Sequence, residues 1–239
     1  QAWPAGNLVN VTLDAGARAA RWIAFPMGSR SWSFKTSEAM LAYLWPSQGP
    51  ADIYALTPGT GAIVRLTHAM GVLDYTVSSN GIKVYFSAGN SQGGANLYLI
   101  DRSQVMNSAD GAYPVQELLD CGTAQCRNPS ISADNHYLAY EYILPDPAGG
   151  SSPSQIWTMD LVTMKASAIG QESHETFQPA WSSNGWLAYY DRTSSGYEVV
   201  QTNSEENTLL LNQTGQPGDW SPDGQFYLAP EIYYYSAPD

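Results

Sequence analysis

The chain alternates short apolar and aromatic runs with turn residues, and five of these runs follow one order, the first in degenerate form. An apolar strand ends at a serine, a tight turn follows, and a second, strongly apolar strand begins. In the turn, an Asp or Asn side chain can hydrogen-bond to the backbone, and the next residue can adopt a positive φ. The pattern predicts a β-hairpin repeated every 39 to 54 residues. Its aligned positions are Phe34, Val77, Ile131, Trp181 and Trp220.

Two further strands follow each hairpin. The third strand is visible at residues 52–56, 96–100, 155–160 and 197–200, and the fourth is clearest at 62–67. Four antiparallel strands per repeat form the blade of a β-propeller, whose blades stack around an axis because none can bury its faces alone. The sequence therefore predicts an all-β fold, a single propeller domain over residues 1–239. Its repeats begin near residues 30, 73, 127, 176 and 216.

The two ends of the chain predict how the ring closes. The last repeat, at Trp220, has only its first two strands, while residues 7–25 resemble the third and fourth strands at 53–67. We expect the N-terminal segment to complete the last blade, which gives five blades and leaves no open sheet edge. The alternative is a fragment of a ring of six or more blades.

The repeat resembles that of a known family. Trp220-Ser-Pro-Asp-Gly224 and Trp181-Ser-Ser-Asn-Gly185, each followed by an apolar strand, are similar to the TolB-type propeller repeat, a WD-like repeat. The resemblance covers residues 8–239. It implies a periplasmic or extracellular protein whose propeller docks protein partners in the cell envelope or in a surface assembly. The same repeat also occurs in prolyl-oligopeptidase-like serine peptidases, whose separate hydrolase domain would not fit in this length.

The charge balance limits the partners. The chain has 10 Lys and Arg against 22 Asp and Glu, a net charge of −12, which repels nucleic-acid backbones and anionic membranes. We therefore expect no nucleic-acid partner. No apolar run reaches the roughly 20 residues of a membrane span. The composition, 44% hydrophobic and 13% charged, is typical of a folded chain rather than a disordered one.

Cys121 and Cys126 are the two cysteines of the chain. Gly122 permits the turn that a disulfide at this spacing needs, and two free thiols are the alternative. A disulfide would indicate an oxidising compartment. A metal site would need more ligands, and no His or Cys cluster lies nearby in the sequence. We expect no metal and no cofactor.

Five residues are candidates for binding at the mouth of the propeller channel. They lie on, or in the loops before, the strands expected to be innermost, and they are His68, Asp74, His174, Glu175 and Asp219. The Asp and Asn residues of the repeat, by contrast, are predicted to form turns, because each of them occupies the same position in its own hairpin. No Gly-x-Ser-x-Gly elbow is present, and we predict no catalytic residue.

These features predict a non-catalytic, exported propeller that serves as a protein-binding or assembly module. The alternative is a hydrolase or lyase that acts on glycans with carboxylates at the channel mouth, where an acid and a base must face each other. Clustering of Asp74, Glu175 and Asp219 with a histidine in one pocket would favour the enzyme.

Overall fold

The computed structural model describes residues 8–13, 30–35, 40–104, 113–146, 148–149, 152–171, 173–201, 207–212, 214–216 and 218–229. Regular structure within these residues is β-strand throughout, with no helix, so the all-β prediction is confirmed. The first five strands are β1 (Leu8–Leu13), β2 (Arg30–Lys35), β3 (Leu41–Trp45), β4 (Asp52–Thr57) and β5 (Ala62–Arg65). The next eight are β6 (Val72–Val77), β7 (Lys83–Gly89), β8 (Ala95–Asp101), β9 (Val115–Leu119), β10 (Gln125–Ile131), β11 (Tyr137–Ile143), β12 (Gln155–Asp160) and β13 (Lys165–Ala168). The last six are β14 (Thr176–Trp181), β15 (Trp186–Asp191), β16 (Gly196–Gln201), β17 (Asn207–Leu211), β18 (Asp219–Trp220) and β19 (Tyr227–Leu228).

The strands of the repeats that begin near residues 73, 127 and 176 pair as predicted. The strands β14 to β17 form a four-stranded antiparallel sheet in chain order. Antiparallel pairing in chain order also joins β6 to β9 and β10 to β13, and one parallel bridge between Gln125 and Ala95 links these two sets. A three-stranded sheet has the order β3-β4-β5, and β18 pairs with β19.

The chain divides into two compact units. One contains residues 1–43 and 54–64, and the other contains 44–53 and 65–239. In the first unit β1 pairs antiparallel with β2, so that Val9 lies opposite Phe34, a pairing that the sequence analysis does not predict. Of residues 7–25, which are expected to share the last blade with the strands that begin near residue 216, the structure describes only 8–13. The shared last blade and the number of blades stay predictions.

The repeated turn has the geometry expected of its residue types. In the repeat that contains β10, Ser132 Oγ donates to Asp134 Oδ1 at 2.6 Å, and the same carboxylate oxygen accepts the N–H of His136 at 3.0 Å. Asn135 takes the positive φ, 60°. The equivalent turns are Ser78–Lys83 and Ser221–Phe226, and Ser182–Trp186 is a version one residue shorter. The side chains of Asn80, Asp134 and Asp223 therefore form turns, as predicted. In the shorter turn the Ser182 hydroxyl accepts the N–H groups of Asn184 and Trp186 instead.

The core lies between neighbouring repeats. One apolar cluster joins Tyr85 and Leu97 of one repeat to Leu138 and Tyr140 of the next, all of them buried. A second cluster joins the β11–β12 pair to β15 in the same way. The repeats of β6–β9 and β10–β13 therefore each bury a face against the following repeat, which is the packing that a blade needs.

Two tryptophans of the repeat motif reinforce this packing. Trp220 Nε1 donates to the carbonyl oxygen of Ala180 at 2.9 Å, and the Trp181 ring stacks on Tyr137 with ring centroids 6.3 Å apart. Trp45, on β3, is by contrast 59% exposed. Side chains alternate along a strand, and the neighbour Leu44 faces a cavity on the other side.

The predicted disulfide between Cys121 and Cys126 is present, with Cα atoms 6.3 Å apart. Cys126 is fully buried in the first apolar cluster. The loop that it closes is tied to the β7–β8 hairpin, because Asn90 Nδ2 donates to the Gly122 carbonyl at 2.7 Å and the N–H of Ala95 donates to Ala124 at 3.0 Å. The disulfide therefore constrains the junction between two repeats.

Replacing both cysteines by serine should lower the free energy of unfolding by about 2 kcal/mol, the loop-closure entropy of so short a loop. Denaturant unfolding of the Cys121→Ser/Cys126→Ser double variant against the oxidised chain measures this. The wild type under reducing conditions is the matched control and should move in the same direction. Equal midpoints for the oxidised chain and the variant would contradict a stabilising role.

Candidate functional site

The first strands of three successive repeats, β6, β10 and β14, line one cavity of about 420 Å³, here called the central cavity, to which β3 and the residue before β18 also contribute. All of its described lining residues belong to the second compact unit. They are Leu44, Leu73, Asp74, Tyr75, Asn128, Pro129, Gln178, Pro179, Ala180 and Gly218. The lining combines apolar and proline side chains with one carboxylate and two amides. Strands that the sequence analysis expects to be innermost therefore share one concave surface.

β-Bulges shape this surface. In β10 the register shifts between Arg127 and Ser130, and Asn128 has a φ of 47°. In β14 the register shifts between Phe177 and Ala180, and Gln178 has a φ of 58°. A proline follows each of the two amide residues, and proline within a strand is typical of a bulge. Because a bulge re-aims side chains, equivalent positions of successive repeats face the same cavity.

Asp74 is the predicted candidate that lines the central cavity. Its Oδ2 lies 3.3 Å from Arg127 Nε and accepts the N–H of Asn128 at 3.4 Å and the Ser87 hydroxyl at 3.5 Å. The carboxylate side chain is 24% exposed. The pairing joins two repeats across 53 residues of sequence, and it places a partly desolvated negative charge in the cavity wall.

Glu141 supports the same wall, and sequence reasoning missed it. Its buried carboxylate accepts Asn128 Nδ2 at 2.7 Å and the backbone N–H of Gln178 at 2.8 Å. One oxygen thus holds the bulges of two repeats in place. A glutamate in the apolar run of β11 was the available signal, because a charge is rarely buried unless it is paired or hydrogen-bonded.

His174 lies in the loop before β14, as predicted, and pairs with a buried carboxylate. Its Nδ1 is 2.6 Å from Asp191 Oδ2, and the Asp191 side chain is only 2% exposed. Asp191 also accepts the N–H groups of Thr193 and Ser194 and the Ser194 hydroxyl. Burial raises the pKa of Asp191, but the bonds from Ser194 and His174 outweigh it and hold the pKa below its ordinary value. This arrangement fixes two loops against each other.

Glu175 and Asp219 do not line the central cavity. The Glu175 carboxylate pairs with Arg192 Nη1 at 2.9 Å, and the Arg192 guanidinium lies 5.0 Å from the Phe177 ring centroid. Asp219 is exposed on β18, where its Oδ1 accepts the N–H of Trp220.

His68 is exposed in the loop before β6. Hydrogen bonds to the Asp52 carboxylate hold that loop in place. Asp52 Oδ1 accepts the Thr67 hydroxyl at 2.7 Å, and Oδ2 accepts Arg65 Nη2 at 2.5 Å. The N–H groups of Ala69 and Met70 complete its shell. Burial raises the pKa of Asp52, but these hydrogen bonds, led by that of Thr67, hold it below its ordinary value.

The structure thus brings one of the three predicted carboxylates, Asp74, to the central cavity. Among the residues described, no group of three or more His, Cys, Asp or Glu side chains could hold a metal ion. A second cavity of about 420 Å³ lies between the β14–β17 sheet and the β18–β19 hairpin, and no predicted candidate lines it. Across the described ranges, no helix is long and apolar enough to cross a membrane.

Neither a protein-family model nor a curated protein sequence matches this chain. Solved structures do match it. TolB from Acinetobacter baumannii aligns with a TM-score of 0.60 at 16% identity, over 85% of this chain and 52% of that one. An oligogalacturonate lyase from Vibrio parahaemolyticus aligns with a TM-score of 0.52 at 12% identity, over 86% of this chain and 60% of that one. A prolyl endopeptidase structure aligns with a TM-score of 0.51 at 17% identity, over 77% and 29%.

This chain therefore spans about half the length of the TolB structure that it matches. At such low identities the likeness concerns the fold and not the activity. Together with the antiparallel sheets in chain order, it confirms that the chain has the all-β propeller-type fold shared with TolB.

Proposed function

We propose that this chain is a non-catalytic, exported protein-binding or assembly module at the cell envelope or cell surface. The partner docks on the end of the molecule where the central cavity opens and where the loops before the first strands lie. The observation that carries this proposal is the cavity itself, because successive repeats contribute equivalent residues to a single concave surface. Concave sites with a few convergent polar groups are the usual places for ligands.

Hydrogen bonds to buried side chains hold the loops before the first strands in place, which supports a docking role. Asp52 fixes the loop before β6, and Asp191 fixes the loop before β14 through His174. Asn96 does the same for the loop before β10, since its Oδ1 accepts the N–H of Cys121 at 3.0 Å. A preorganised surface loses less conformational entropy when a partner binds.

Export is supported by the disulfide, since such bonds persist in oxidising compartments. A non-catalytic role is favoured by the placement of the carboxylates. Glycan hydrolysis needs two carboxyl groups across one bond, and Asp74 is the one carboxylate among the described residues that line the central cavity. Glu175 is engaged with Arg192 instead.

The test is affinity capture from the native source with a matched pair of variants. Ala180→Trp fills the central cavity, whereas Ala166→Trp places the same bulk on the exposed edge strand β13. A specific partner, identified by mass spectrometry and then purified, should bind the wild type and Ala166→Trp with equal affinity. Ala180→Trp should bind it at least tenfold more weakly. Equal binding by all three chains, or turnover of a glycan that Ala180→Trp abolishes, would overturn the proposal.

A further inference from the structure

The buried and half-buried carboxylates at this end of the molecule differ in how fully their oxygens are used. Both oxygens of Asp52 accept short hydrogen bonds, and both oxygens of Asp191 do the same. Asp74 differs from them. Its contacts all fall on Oδ2 and are long, between 3.3 and 3.5 Å. Within the described part of the chain, Oδ1 of Asp74 has no hydrogen-bond partner.

This unused oxygen belongs to a carboxylate in the wall of the central cavity. Asp74 is the one charged residue among the described lining residues. Arg127 is not among those residues, and it contacts Asp74 through Nε alone. The carboxylate of Glu141 lies behind the wall, bonded to Asn128 and to the backbone of Gln178. The cavity therefore lies close to two carboxylates, those of Asp74 and Glu141. It also lies close to one guanidinium, that of Arg127, which contacts Asp74 through one nitrogen.

We propose that the central cavity receives a cationic side chain, the guanidinium of an arginine or the ammonium of a lysine, from the bound partner protein. Asp74 Oδ1 accepts its N–H group. The inference rests on the proposed docking function and names the chemistry that the cavity recognises. Charge-assisted hydrogen bonds to a carboxylate are among the strongest in proteins, and a partly desolvated carboxylate strengthens them further.

The size and the remaining lining fit one such side chain. A volume of about 420 Å³ lies at the lower end of the range for small-ligand sites, roughly 300–1,000 Å³, and it does not hold a helix of about 10 Å diameter. Leu73 and Pro179 offer apolar surface to the methylene groups of an arginine or lysine. The net charge of −12 steers a cationic segment towards the chain.

The test uses short blocked peptides with a single central residue: arginine, lysine, or citrulline, which has the shape of arginine without its charge. Binding to the intact chain is measured by calorimetry and by NMR shifts of the Asn128 and Gln178 side-chain amides. The arginine peptide should bind at least tenfold more tightly than the citrulline peptide. Asp74→Asn should remove this preference, and Asp146→Asn, at an exposed turn aspartate, should retain it.

Three results would overturn the inference: no binding of the arginine peptide, equal binding of the citrulline peptide, or a preference that survives in Asp74→Asn. Free arginine that binds as tightly as the peptide would also overturn it, since the site would then take a small molecule. The arginine–citrulline comparison needs no variant, so misfolding cannot mask it. Its failure would leave the capture experiment with Ala180→Trp standing as the separate test of docking.

Discussion

Gly94→Ala should be the most damaging alanine substitution at any of the described glycines, with a loss of about 3 kcal/mol or more of unfolding free energy. Gly94 lies in the β7–β8 hairpin loop, directly beneath the disulfide loop. A Cβ atom there would lie well inside van der Waals contact of the carbonyl oxygens of Gly122 and Ala124. It would also lie 2.9 Å from the carbonyl carbon of Thr123. All three neighbours are backbone and have no side-chain rotamer with which to move away.

Gly89→Ala is the matched control, because it lies in the same hairpin and its Cβ would meet only one atom, at 4.0 Å. Denaturant unfolding should separate the two variants clearly, with Gly89→Ala close to the wild type. The cost of Gly94→Ala should also shrink when Cys121 and Cys126 are replaced by serine, because the opened loop can shift. Additive effects of these substitutions would count against a clash with the disulfide loop.

Asp191→Ala should lower the unfolding free energy by about 3 kcal/mol, because it removes a buried carboxylate and leaves its donors unpaired. The lost partners are the His174 ring, the Ser194 hydroxyl and two backbone N–H groups. The matched control is Asp160→Ala. Asp160 forms the same kind of turn, accepting the N–H groups of Val162 and Thr163, but it is only half-buried, and His136 acts on it through charge and not through a hydrogen bond. Chemical denaturation should show a much smaller effect for Asp160→Ala, and equal effects would contradict the buried role of Asp191.

Acid unfolding provides a second readout on the same residue. The pKa of Asp191 is lowered in the folded state, so its ionised form stabilises the fold. This stabilisation is fully present above the ordinary carboxyl pKa of about 4 and is lost as the pH falls through the lowered folded value. The fall of wild-type stability below pH about 4 should therefore be shallower in Asp191→Ala. A parallel fall in both chains would show that Asp191 does not contribute to it.

The hairpin repeat could be predicted from the sequence because its determinants are local. Ser132, Asp134 and Asn135 form their turn through bonds that span five residues or fewer, so the residue types alone indicate the geometry. The pairing of β1 with β2 has no such signal, because it joins segments separated by residues 14–29. Strand pairing across that distance depends on packing and not on turn chemistry.

The candidate site could be predicted only in part for a related reason. Asp74 was found because it lies on a first strand, but Asp219 lies on a first strand too and is exposed. A bulge changes which side chains face the cavity, and it can be recognised in the sequence only from a proline such as Pro129 or Pro179. The role of Glu141 depends on a backbone N–H group that a bulge redirects. The direction of a backbone N–H group cannot be read from the residue type.

The central claim is that the first strands of successive repeats face one cavity, and a paramagnetic label tests it most directly. A nitroxide attached at Ala180→Cys, in a Cys121→Ser/Cys126→Ser background, lies in β14 at the cavity wall. It should broaden the side-chain signals of Asn128 on β10 and Tyr75 on β6, with the reduced label as the reference. Broadening confined to the β14–β17 sheet would contradict the account.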